Sequence, residues 1–256
     1  MSKSSTNRDR RETVEQMRKQ AQAAERRRTL SVVAVCVVIA LIILGLAGYK
    51  LYQDKQEKDE LAERGLEDIG ASAQSAGCTA ILEEDASGAG EHVSEPVDYE
   101  TTPPAFGAHY DIAADSGIHF YGVDERPEVE QLVHNLEHGW TIVWYDETVA
   151  DDTEQMAILR STADKFDLEG SDPRFNVIIA PWTSDDGEPI ADGKHIAFTH
   201  WSVHQPVYDP AVFAPGEKPA SFGQSQYCDS FSGDALGDFM AKYPYDDAPE
   251  GFLWHQ

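Results

Sequence analysis

Residues 30–49 read LSVVAVCVVIALIILGLAGY, twenty consecutive positions without a charged side chain. At a rise of about 1.5 Å per residue, a helix of that length spans about 30 Å, the thickness of a bilayer's hydrocarbon core. Buried helices of water-soluble proteins rarely run so far without a charge, so a transmembrane helix is expected here. Arg26-Arg27-Arg28 precede the run and Tyr49, Lys50 and Tyr52 follow its apolar part. The positive-inside bias and the interfacial preference of tyrosine then place the N-terminus in the cytoplasm and residues beyond about 50 outside. A cleaved signal peptide has an apolar region of about 7–15 residues followed by an A-x-A box. This run is longer and lacks the box, so an uncleaved signal anchor in the plasma membrane is expected, single-pass, with an extracytoplasmic C-terminal domain.

The formal charge is −26, from 20 Lys+Arg and 46 Asp+Glu. Nine basic and four acidic side chains lie in residues 1–29, which leaves 11 basic against 42 acidic in the rest. A folded part so acidic repels phosphate, which excludes nucleic acid as its partner. The expected partners are the lipid bilayer and an envelope protein whose identity the sequence does not reveal.

Four regions follow: a basic cytoplasmic tail (1–29), the transmembrane helix (30–49), a helical stalk of good helix formers (50–77) and an acidic extracytoplasmic domain (78–256). Residues 83–104 are acidic and aperiodic, and a long surface loop is expected there. Beyond them, strands are predicted at 117–123, 141–145, 175–180 and 195–201, and helices at 127–138, 152–166 and 235–243. The fold class is therefore α/β, a mixed α+β extracytoplasmic domain, in the order β-α-β-α-β-β-α seen in thioredoxin-like folds. Of the three cysteines, Cys36 lies in the apolar run, and Cys78 and Cys228 are the two placed outside, where disulfides persist. They are predicted to pair.

Candidate chemistry concentrates in VHNLEHGW, residues 133–140. On a helical wheel His134, Glu137 and His138 share one arc about 100° wide, opposite the stripe of Val129, Leu132, Val133 and Leu136. Two imidazoles at i and i+4 can reach one Zn²⁺ or other borderline metal, with Glu137 as ligand or water-positioning group. The competing interpretation is a solvated helix face whose His138 favours the helix C-terminus. H-x-x-E-H is also the inverzincin protease signature, but those enzymes need a third ligand from a later helix. Here the helix is expected to stop at Gly139, so a protease is not expected. The chain also lacks G-x-S-x-G, a phosphate loop and a dinucleotide fingerprint.

A resemblance becomes specific when the segments are taken in order: Pro96-Val97-Asp98-Tyr99, Thr102-Pro103-Pro104, Gly107-Ala108-His109-Tyr110, Gly122-Val123 with Asp124-Glu125, and His134-Asn135-Leu136-Glu137-His138-Gly139. Together they resemble the actinobacterial single-pass membrane proteins of domain of unknown function 3105, over about residues 91–201. The resemblance implies the same layout of basic N-terminus, membrane helix and exported domain, and it brings no established reaction. It adds His109 as a characteristic histidine, giving with His134 and His138 the three nitrogens of an open metal site. Tyr121 stands where the family commonly has a cysteine, which excludes a thiolate ligand there. His200-Trp201-Ser202 stand where the family often has a small residue before Trp-Gly, so His200 is either an extra ligand or a strand residue.

The functional expectation is an envelope binding module in which His109, His134, Glu137 and His138 hold a transition metal such as zinc or copper. Two alternatives compete with it. One is a metal-dependent hydrolase or oxidoreductase of the cell envelope with Glu137 as base, and the other is an interaction or scaffold protein without metal. The binding module is preferred to an enzyme.

Overall fold

The computed structural model describes residues 3–170, 172–204 and 220–251, with side chains from residue 12 onward. The chain divides into two compact units, Met1–Asp59 and Glu60–Gln256.

The first unit belongs to one helix, α1 (Lys3–Glu63), 61 residues long. No proline occurs before Pro96, so nothing interrupts the hydrogen-bond ladder through the tail, apolar run and stalk. Its most apolar 18-residue window has a mean hydropathy of 3.1 and none of it is buried. Val32, Leu41 and Leu44 are 57%, 63% and 69% exposed. Short-range pairs such as Lys50–Asp54 (2.7 Å) flank the apolar run on its C-terminal side.

The second unit is built on a five-stranded sheet of order β1-β7-β6-β4-β5. The strands are β1 (Leu82–Asp85), β4 (Thr141–Tyr145), β5 (Val177–Pro181), β6 (Ile196–Ser202) and β7 (Phe222–Cys228). A separate parallel pair joins β2 (His92–Val93) to β3 (His109–Tyr110). Among the described residues, four α-helices complete the unit: α2 (Val129–Glu137), α3 (Glu147–Ala150), α4 (Thr153–Glu169) and α5 (Gly233–Lys242). β4 and β5 are parallel, joined through α3 and α4, and the other pairings are antiparallel. A parallel connection of that length needs a crossover, and helix formers from Glu154 to Leu168 supply it.

TIVWY and VIIAP are buried at every position, as expected of strands covered on both faces. Alternate residues serve different cores. Val143, Tyr145, Val177, Ile179 and Phe198 pack with Leu159 and Phe166 of α4 and Leu236 and Phe239 of α5. Ile142, Trp144, Ile178, Ala180 and Trp201 pack with Leu132, Val133 and Leu136 of α2. The apolar stripe of α2 is thus spent on the sheet, and its opposite arc is aimed at β2 and β3.

Several boundaries differ from expectation. Residues 117–123 form no sheet strand; they meet β5 through one isolated bridge, Phe120 to Ile179, and through His119 Nδ1–H, which donates to Val177 O (2.6 Å). The loop expected over 83–104 contains most of β1 and all of β2. β7, with its FGQSQYC sequence, lacks the apolar alternation that identifies a strand. It is a strand because β6 and β1 pair with it on both sides. Compact packing begins at Glu60, and Ile69 and Ala76, read as stalk, lie in the core.

Cys78 and Cys228 form a disulfide that closes a sequence separation of 150. Main-chain bonds run beside it, Thr79 N–H to Tyr227 O (2.8 Å) and Asp229 N–H to Ala76 O (2.8 Å). The chain leaving α1 is thereby fastened to the end of β7.

Candidate metal centre

Three short pieces build the site. α2 starts where Gln131 Oε1 accepts from the Glu128 N–H (3.3 Å) and ends with His138 as its C-cap. Gly139 makes the stop compulsory. Its φ is +89°, and a Cβ there would lie 2.0 Å from Tyr245 O, so only glycine permits both the left-handed turn and the close approach.

β2 and β3 pair with His92 opposite His109. Opposed residues of neighbouring strands share a face, and the two imidazole centroids are 4.9 Å apart. His134, from α2, brings a third ring to 5.2 Å from His92 and 4.8 Å from His109. The loop carrying β2 and β3 is lashed to α2 by buried side chains. Glu130 Oε1 accepts from Val97 N–H (2.7 Å), and Asn135 accepts from Ala114 N–H (2.9 Å) while donating to Ala114 O (3.2 Å).

Two carbonyls set the protonation of the rings. His134 Nδ1–H donates to Tyr110 O at 2.7 Å, and His109 Nδ1–H donates to Gly107 O at 2.9 Å. A carbonyl can only accept, so both histidines carry a proton on Nδ1, and in the neutral ring the Nε2 lone pair faces inward. Metal-ligating histidines are commonly oriented in this way, by a hydrogen bond from the other ring nitrogen. His92 Nδ1 has the Asp111 carboxylate beside it at 3.4 Å.

Glu137 Oε2 lies 3.0 Å from His109 Nε2 and 4.0 Å from His92 Nε2. His134 Nε2 is 2.8 Å from His138 Nε2. One donor atom from each of His92, His109, His134 and Glu137 lies within 4.8 Å of all the others, and the four could hold a metal ion.

The cluster is buried on the protein side and open at His92. His109 is 0% exposed, His134 7%, Glu137 5% and His138 8%, whereas the His92 side chain is 50% exposed. Burial acts against ionisation of Glu137, but the His109 contact and the charges of His109, His138 and His134 outweigh it and hold the carboxyl below its usual range. Burial, with the charge of His109, holds His134 below the usual imidazole range in spite of its Tyr110 bond. His138 is pushed down to about 4 by burial and then by the charge of His134. Near neutral pH His134 and His138 are therefore uncharged and Glu137 is a carboxylate, and imidazole and carboxylate are donor types that suit borderline first-row metals.

Of the four residues expected to ligate, His109, His134 and Glu137 meet in this cluster, and His138 touches it through His134. The arc of α2 does not face solvent, which removes the solvated-face interpretation. His92 was missed. It lies in an acidic stretch with no helical spacing to another histidine, and its one sequence signal is its place just ahead of Pro96-Val97-Asp98-Tyr99. His200 lies apart from the cluster, fully buried on β6, with Nδ1–H donating to Trp140 O (3.1 Å) and its ring stacked on Tyr243 at 6.4 Å. Tyr121 directs its hydroxyl to Asp115 O (3.5 Å).

Residues 92–252 match the family model described as "Protein of unknown function (DUF3105)". No curated protein and no solved structure matches the chain. The matched region begins at His92 and takes in the whole cluster. As it also spans more than half of the sequence, the protein belongs to the DUF3105 family.

Proposed function

We propose that this protein is a membrane-anchored metal-binding module of the cell envelope, with a transition metal held by His92, His109, His134 and Glu137. One observation carries the reading: Nδ1–H of His109 and of His134 donates to a main-chain carbonyl, and their Nε2 atoms lie with donor atoms of His92 and the buried Glu137 carboxylate within 4.8 Å of one another. A divalent ion held there would compensate the buried carboxylate. Binding serves as the function in its own right, for sensing, storage or delivery, because main-chain carbonyls orient the rings of the cluster on both flanks.

The anchor in this proposal is α1. Its exposed aliphatic window suits lipid, and the Cys78–Cys228 disulfide suits an oxidising compartment for the second unit. The partners are the bilayer and an envelope protein that exchanges metal at the His92 side. The finer fold assignment, a thioredoxin-like arrangement, is supported by the run β4-α4-β5-β6-β7-α5 with sheet order β7-β6-β4-β5.

Metal content tests the function. Full-length protein purified without chelators is compared with a His109→Ala, His134→Ala double variant by elemental analysis. Stoichiometric metal in the parent and none in the variant is expected. Equal content in the two proteins sinks the proposal.

A further inference from the structure

The segment from Val97 to Ala108, which leads into His109, forms one wall of a cleft of about 640 Å³, and Glu84 and Asp85 of β1 form the other. That volume lies in the range of ligand-binding sites. Two aromatic rings stand in the first wall, each seated against a glycine. Tyr99 donates its hydroxyl to Ala108 O (2.8 Å), and its ring lies so close to Gly107 that a Cβ there would stand 2.8 Å from Tyr99 Cε1. Phe106 covers Gly223 of β7, where a Cβ would overlap the phenyl ring. Both rings are therefore held in place before a ligand arrives, which lowers the entropic cost of binding one.

Charge around the cleft is one-sided. Glu84, Asp85, Asp98 and Glu100 line it, whereas Arg126, Lys165, Arg174 and Lys194 pair with Asp186, Glu169, Asp172 and Asp229 elsewhere on the unit. Among the described residues, none of the four cleft carboxylates has a salt-bridge partner. A concave surface lined by one sign of charge draws in the opposite sign.

β1 adds main-chain groups to the same rim. Ala86 N–H donates to Ser221 O (2.8 Å), and pairing continues in register as Asp85 with Phe222, Glu84 with Gly223 and Glu83 with Gln224. Antiparallel pairing alternates residues whose main chain faces the neighbour with residues whose main chain faces away. Glu84 thus bonds to β7, and the N–H and C=O groups of Glu83 and Asp85 point outward. β1 ends the five-stranded order, and among the described residues no strand pairs with its outer edge. An acidic edge resists pairing with another copy of itself, but it complements a basic strand.

We infer that this cleft receives an extended basic segment of a partner protein, added as a strand beside β1. Main-chain hydrogen bonds to Glu83 and Asp85 supply affinity, and alternate side chains entering the cleft supply specificity. Arginine or lysine suits both walls, with its apolar stem against Tyr99 and Phe106 and its charged head on Glu84 and Glu100. A segment seated there lies beside Gly107, whose carbonyl accepts from His109 Nδ1–H. Docking itself requires no metal.

The probe is a short fluorescent peptide alternating arginine and valine, titrated with full-length protein in detergent and followed by anisotropy. Saturable binding that weakens with salt is expected. Glu84→Gln with Glu100→Gln should weaken it at least about tenfold. Asp151→Asn with Glu154→Gln removes the same charge from exposed positions outside the cleft and should change it less than about twofold. Methylation of the peptide's main-chain nitrogens keeps every charge but removes the donors of a strand, and at least about a tenfold loss is expected. No binding by the parent, or an equal loss in the two double variants, overturns the docking site. Equal binding of the methylated peptide overturns strand addition and assigns the cleft to cations in general.

Discussion

His109 Nε2 and Glu137 Oε2 approach to 3.0 Å, one from a two-residue strand and the other from the last turn of a helix. Neither group is idle elsewhere. The His109 ring is held through Nδ1, and Glu137 is ionised in a buried position. The pair sits at the centre of the proposed function, and the first prediction addresses it.

Glu137→Gln removes the one anionic donor and keeps its shape. Metal affinity is expected to fall by more than about 100-fold, since even indirect partners of a ligand are worth about 10–100-fold. Glu130→Gln serves as control: Glu130 is equally buried on α2 but accepts from Val97 N–H, a role that the glutamine oxygen keeps, so affinity is expected to stay nearly unchanged. Equilibrium dialysis against a competing chelator distinguishes the two. Equal loss in both variants argues against a ligand role for Glu137.

His200 predicts an acid sensitivity of the fold. Complete burial pushes its imidazole down to about 4, whereas in the unfolded chain it titrates near 6.5. Above about 6.5 both states are neutral and its contribution is fully present. As pH falls from there toward about 4, the unfolded state takes up the proton first, and stability drops by up to roughly 3 kcal/mol. His138 acts in the same direction. Urea unfolding at pH 7 and pH 4.5 is expected to show the loss, with a smaller difference in His200→Asn. A pH difference identical in that variant excludes His200 as a source.

The disulfide is expected to be structural. In the chain-entropy model, a closed loop of this length is worth about 5 kcal/mol, and measured losses run at about 2–5 kcal/mol. Cys78→Ser with Cys228→Ser should lower the melting temperature by roughly 5–15 °C. A change of less than about 1 °C would show that the main-chain bonds of Thr79 and Asp229 suffice alone.

Gly139→Ala should destabilise by about 2–4 kcal/mol, combining a left-handed φ with a collision at Tyr245 O. Gly88→Ala isolates the first part. Gly88 also has a positive φ, +84°, but nothing lies within 4 Å of a Cβ there, so about 1 kcal/mol is expected. Similar melting temperatures for the two variants contradict the collision.

Orientation is tested in intact cells. With α1 as an uncleaved anchor, added protease should digest residues beyond the apolar run and spare the tail before Arg26. Protection of the acidic unit until the membrane is permeabilised reverses the proposed topology.

Several elements were legible because their signals are local. The uncharged run in α1, the amphipathic period of α2 and the apolar TIVWY of β4 each lie within one window of sequence, and each appears within a few residues of its expected place. The pairing of Cys78 with Cys228 followed from there being two cysteines to pair beyond the apolar run. His134, Glu137 and His138 shared an arc because a helical wheel is also local geometry.

What the arc faces was decided only by tertiary structure. Helix periodicity separates two sides of α2 but does not reveal that both are buried, one on the sheet and the other under β2 and β3. β7 has no strand signal of its own and owes its conformation to neighbours on both sides. His92 enters the cluster through the register of a two-residue parallel pair, and that register is held by Glu130 and Asn135 reaching from α2 to Val97 and Ala114. Hydrophobic period and composition act over a few neighbouring residues, so the sequence by itself determined the long apolar helix, helices α2, α4 and α5 and strands β4, β5 and β6. Long-range hydrogen bonds and packing close the loops that bring distant side chains together, so only the folded chain could place His92, His109 and Glu137 around one point.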